Sequence, residues 1–160
     1  MRAKTCDNGR VTGRVRVHQW IAGKLFATSG WSKNLVVNGT STGKNLISQR
    51  LGGDNTYTMN VKYGEIGTGN TTPADTDAAL AIPQVRAGSP TIVVSGGVVT
   101  FQFFFSDATL PNNTYKEFGL FVDGNASLGT GQLFARALFD TPYTKTSGTD
   151  TTVEYEISIG

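Results

Sequence analysis

The stretch Thr91–Phe105, "TIVVSGGVVTFQFFF", decides how the chain is to be read. Two β-branched, apolar runs flank a Ser-Gly-Gly step, the pattern of a hairpin with a tight turn. In the second run Val99, Phe101, Phe103 and Phe105 share one face. Thr100 and Gln102 share the other, and Phe104 breaks the alternation by facing outward with them. This period of two is the signature of a strand with one buried face.

The same period recurs on both sides of the hairpin. "RVTGRVRV", Arg10–Val17, sets Val11, Val15 and Val17 against Arg10, Thr12, Arg14 and Arg16. "HQWIAGKLFATSGW" continues it through a turn at Ala22-Gly23, and "NLVVNG", Asn34–Gly39, is a short strand ending in a turn signal. "YTMNVKYGEIG" is a strand that enters a Gly-rich loop. "YKEFGLFVDGNASLGTGQLFARALF" gives two strands joined by Asp123–Gly131. "TTVEYEISIG" is the last, with Val153, Tyr155, Ile157 and Ile159 inward and Glu154 and Glu156 outward. One helix is expected, at about 42–51: Ser41 or Thr42 caps it, Leu46, Ile47 and Leu51 form its apolar edge, and Gly52-Gly53 stop it. The expected fold is all-β, a β-sandwich or jelly-roll-like domain over 28–160 with this short helix, preceded by a basic N-terminal arm and strand region at 1–27.

Composition agrees. With 160 residues the chain suffices for one domain, and 20 glycines with only 16% charged residues suit strands and turns. No run approaches the roughly 18 apolar residues of a membrane span, and no apolar stretch follows the first charges as in a secretory leader. Cys6 has no second cysteine to pair with, so the expectation is synthesis in a reducing cytoplasm. The net charge is +2, yet Arg2, Lys4, Arg10, Arg14, Arg16 and Lys24 face only Asp7 in the first two dozen residues. The asymmetry marks a surface made to meet something negative or a solvated strand face.

Motifs that carry chemistry fail on spacing. In "YGEIGTGNTTPADTDAALA", Tyr63–Ala81, the glycines lack the dinucleotide fingerprint and no adequate helix follows. They are read as permitting sharp turns, with Asp75 or Thr76 capping a single helical turn that points Leu80 and Ile82 to the core. In "GTSTGKN", Gly39–Asn45, the glycine spacing is too short and Asn45 replaces the hydroxyl that a P-loop gives to magnesium. Asp75 and Asp77 lack the further oxygens that calcium requires. His18 has no local acid partner. Glu65, Glu117, Glu154 and Glu156 read as solubilising charges on exposed strand faces. No catalytic, cofactor-binding or metal-ligating residue is assigned. Sequons at Asn38, Asn70, Asn112 and Asn125 follow from Asn/Thr-rich turns. Trp20, Trp31, Phe104 and Tyr115 form either a platform for sugar rings or, as favoured, a protein contact.

Five runs taken together resemble small structural proteins of tailed bacteriophages: "NLVVNGTSTGKNLISQRLGGD", "YGEIGTGNTTPADTDAAL", "VSGGVVTFQFFF", "NNTYKEFGLFVDGNASLGTGQLFARALF" and "TKTSGTDTTVEYEISI". The succession covers most of the chain from about Asn34. The resemblance implies a non-enzymatic virion component of capsid-decoration type, or alternatively a tail-fibre, collar or baseplate component, glycan-binding during adsorption. It implies a homo-oligomer, a trimer or another ring, at the virion surface, with other virion proteins as partners and neither membrane nor specific nucleic acid. Arg10, Arg14, Arg16, Trp20, Trp31 and Phe104 are the residues expected to meet that partner.

Overall fold

A computed structural model describes residues 10–160. The expected reach of an arm over 1–9, with Arg2, Lys4, Cys6 and Asp7, lies outside the described residues. Ten strands and one helix follow in the order β1 (Val11–Ile21), β2 (Lys24–Thr28), β3 (Ser32–Val36), α1 (Gly43–Leu51), β4 (Val61–Gly67), β5 (Pro83–Gly88), β6 (Thr91–Ser95), β7 (Val98–Phe105), β8 (Asn113–Val122), β9 (Gln132–Lys145) and β10 (Asp150–Ile159). All pairings are antiparallel, in the spatial order β5-β4-β8-β9-β3-β1-β10-β7-β6, with β2 paired to β1.

The result is one curled sheet folded over its own apolar face. Strand β3 joins the halves: Ser32 and Lys33 pair with β1, and Asn34–Val36 pair with β9. Phe103 and Phe105 from one half meet Phe118 from the other at centroid distances of 5.6 and 6.4 Å, and Tyr155 closes the cluster at 6.0 Å. Such offset and edge-on aromatic packing adds to the stabilisation from burial alone. The outermost strands β5 and β6 are consecutive in sequence but do not pair, so the curled sheet stays open along one seam.

The hairpin β6–β7 turns at Gly96-Gly97 as read, and Phe104 is 59% exposed. The Ala22-Gly23 turn has both residues at positive φ, +48° and +74°, the conformation a tight hairpin demands. Residues 11–28 are not an arm: β1 is an interior strand, flanked by β10 on one side and by β2 and β3 on the other. Helix α1 buries Leu46, but Leu51 is 85% exposed. Thr42 is at the N-cap position, yet its hydroxyl donates to the Gly39 carbonyl rather than accepting from the helix. The helix start instead lies against backbone. A Cβ on Gly43 (φ +35°) would fall 1.9 Å from the Val37 oxygen.

Strand β5 is an element that the sequence pattern alone does not announce, being only six residues with a proline at its head. The last strand departs at its tip, where Ile159 is 62% exposed because β6 and β7 end beside it.

Candidate functional site: one open sheet face, one closed by charge

Strand periodicity puts Arg14, Arg16, His18 and Trp20 on the outer face of β1. Register then aligns three rows across β1, β10 and β7: Arg14–Glu156–Thr100, Arg16–Glu154–Gln102 and His18–Thr152–Phe104. Arg14 Nε donates to Glu156 at 2.6 Å. Arg16 donates to Glu154 Oε1 through Nε and Nη2, at 3.1 and 2.9 Å. The other oxygen of Glu154 meets His18 Nε2 at 3.2 Å and accepts from Gln102 at 3.0 Å. Burial pushes the Glu154 carboxyl up, but Gln102, His18 and Arg16 together outweigh it, and the group stays below its ordinary value. Glu154 is therefore a buried hub rather than a solubilising charge, and His18 has its acid partner from a strand far away in sequence.

Trp31 stacks on both guanidinium groups, 4.1 Å from Arg14 and 4.3 Å from Arg16. Trp20 donates its indole N–H to Thr152 at 3.1 Å. So Arg14, Arg16, Trp20, Trp31 and Phe104 all stand on one face of the sheet, and Arg10 continues its row at the start of β1. Arg14 and Arg16 are neutralised within the fold rather than left free, and Phe104, at 59%, is more exposed than either tryptophan. Tyr115 does not join them. It is 1% exposed in the core and donates its hydroxyl to the Pro111 carbonyl. Beside Trp31 opens a groove of about 480 Å³ whose walls include Gln19, Thr28, Ser29, Asp140 and Thr144.

The opposite half of the sheet turns its outer face to its own loops. Glu117 is fully buried and accepts from the backbone N–H groups of Gly69, Ala81 and Ile82, at 3.1, 3.0 and 2.7 Å. Arg136, diagonal to it across Gly119, donates to Glu117, to Asp77 and to the Thr71 carbonyl. A second pair lies in the next column, where Arg86 bonds Glu65 at 2.5 Å. Glu65 also accepts from Gly129 N–H, and the Arg86 guanidinium lies between the Tyr63 and Phe121 rings.

The loop after β4 is thus architectural, as expected, by a different device. At Asp75–Thr76 the chain makes one hydrogen-bonded turn, closed by the Asp77 N–H to the Ala74 carbonyl at 3.0 Å, but neither side chain caps it. Asp77 accepts the Ala74 N–H and the Arg136 guanidinium instead, Leu80 is buried, and Ile82 is 52% exposed. The glycines serve by being small rather than by bending. A Cβ on Gly64 would strike the Phe118 ring at 2.5 Å, and one on Gly69 would strike the Glu117 carboxylate at 2.5 Å.

Glu117 and Arg136 escape sequence reading because strands β8 and β9 are buried on both faces, where alternation vanishes. The available signal was a charge inside an otherwise unbroken apolar run, "EFGLFV" and "LFARALF". Among the described residues no three His, Cys, Asp or Glu side chains gather as a metal site, and no helix is long and apolar enough to cross a membrane.

No protein-family model, curated protein or solved structure matches the chain.

Proposed function

We propose that this chain is a non-enzymatic structural protein of a tailed-bacteriophage particle, a decoration or cement protein that docks through the outer face of β1, β10 and β7. The observation that carries the reading is the gathering of Trp20, Trp31, Phe104, Arg14 and Arg16 on that one face while the other half is sealed by its own loops. Aromatic and arginine side chains are the types that anchor protein contacts. Pre-paired charges at the rim of such a face select a partner and hold its register more than they add affinity. The resemblance of the five sequence runs supplies the particle; the face supplies the mode of contact. A standard interface of about 1,600 Å² repeated over a symmetric ring gives avidity without strong single contacts.

Gold-labelled antibody imaging of particles tests the reading. Label over the head supports decoration, and label confined to the tail or neck supports the fibre, collar or baseplate alternative. Absence of label, with the epitope accessible on the free protein, overturns the virion placement. The groove beside Trp31 favours a second reading, glycan binding during adsorption. Loss of polysaccharide binding in Trp31→Ala would support it.

A further inference from the structure

Lys145, the last residue of β9, is 2% exposed, and its ammonium is met by oxygens of the β7–β8 connection. Its Nζ bonds Asp107 Oδ1, the Asp107 carbonyl at 3.5 Å and Asn112 Oδ1 at 3.3 Å. Asn112 precedes β8, and its neighbour Asn113 is the register partner of Lys145. The Asn112 amide is held by its nitrogen, which donates to Ser147 Oγ at 2.6 Å, so its oxygen faces the lysine. An amine, a carboxamide and a carboxylate therefore meet at one point between the β7–β8 connection and the β9–β10 turn.

We propose that these three residues form an intramolecular isopeptide bond, Lys145 Nζ to Asn112 Cγ, with Asp107 as the proton carrier. Asp107 takes a proton from the ammonium, and the freed lone pair attacks Asn112 Cγ. The C–N bond to Nδ2 then breaks. Two protons from Nζ, one carried by Asp107, pass to the departing nitrogen. It leaves as ammonium, carrying away the positive charge of the lysine, and nothing is oxidised or reduced. Fixed proximity supplies the rate, since the reacting groups cannot diffuse apart. Lys145 and the Gly148 and Thr149 amides hold the Asp107 carboxyl below its ordinary value. That carboxylate is accordingly a weak base, and the reaction is slow and happens once per molecule. The product staples the start of β8 to the end of β9 and stands independently of any partner.

Peptide mapping and intact-mass measurement of the purified full chain, before and after long incubation at mildly alkaline pH, test this. The expected result is a population lighter than its sequence by one ammonia, with the peptides of Asn112 and Lys145 joined and trypsin unable to cut at Lys145. Lys145→Arg, which keeps the charge, and Asp107→Ala should each return the full mass with an unchanged circular dichroism spectrum. Separate, unmodified Asn112 and Lys145 peptides in the incubated wild type overturn the proposal, and this reading needs no variant to fold. A link short of one water would make Asp107 the acceptor and overturn it equally, as would loss of ammonia without a joined peptide.

Discussion

Arg136 and Glu117 form an ion pair of 2.8 Å in which neither side chain is more than 2% exposed. The pair holds a loop: three backbone N–H groups of residues 69–82, the Thr71 carbonyl and the Asp77 carboxylate complete its hydrogen bonds. Glu117→Gln leaves the buried guanidinium with Asp77 as its remaining carboxylate and should cost about 1.5–3 kcal/mol. Denaturant unfolding measures that loss. Hydrogen exchange should show Gly69, Ala81 and Ile82 losing protection before the core strands do.

Gly43 offers a test of close backbone approach. Alanine there must displace the Val37 carbonyl and adopt a positive φ, so Gly43→Ala should destabilise by roughly 1–3 kcal/mol. Gly53, also at positive φ but with open space around it, isolates the conformational part: Gly53→Ala should cost less, and thermal melts of the two variants rank them.

Acid should weaken the outer face through Glu154. Its folded acidity lies below the ordinary value of 4.5, so its contribution is fully present above that pH. The contribution is lost as pH falls from there through the folded value. Melting temperatures of wild type and Glu154→Gln should therefore converge on acidification below about pH 4.5 and stay apart above it. Parallel curves across that window would remove Glu154 from the acid response.

Reversing Arg14 and Arg16 to glutamate sets like charges against Glu156 and Glu154. The double variant should melt well below wild type, so a loss of particle incorporation by it would not isolate docking. Phe104→Asp changes an exposed side chain and should keep the melting temperature while abolishing incorporation. Normal incorporation of that variant would take Phe104 out of the contact.

The edge strand β6 carries Ile92, Val93 and Val94 at 49, 56 and 69% exposure with no charge among its five residues. Unprotected edges of this kind invite pairing with other chains. Val93→Lys should leave the fold intact and reduce concentration-dependent association in light scattering.

The hairpin from Thr91 to Phe105, the basic strand and the last strand were legible because each buries one face, which writes a period of two into the residues. Leu51 and Ile82 read as core because apolar type alone does not reveal whether a neighbour covers it. Glu65 and Glu117 read as surface because their arginines, Arg86 and Arg136, lie 21 and 19 residues away and meet them only after the sheet forms. The gathering of Trp20, Trp31 and Phe104 on one face was visible in part from strand parity. Their registration needed the pairing of β10 between β1 and β7.

That central position of β10 has a kinetic consequence. The first long strand made, β1, finds one of its two principal neighbours only after residue 159 has left the ribosome, and β7 waits for the same strand. Until then both expose unpaired edges, so this half of the molecule assembles only once β10 has emerged. Contacts so distant in sequence make for slow folding, on the order of milliseconds to seconds. A chain cut short by even one strand would lose the middle of its sheet, not its margin, and should be cleared as unfolded protein instead of persisting as a smaller domain.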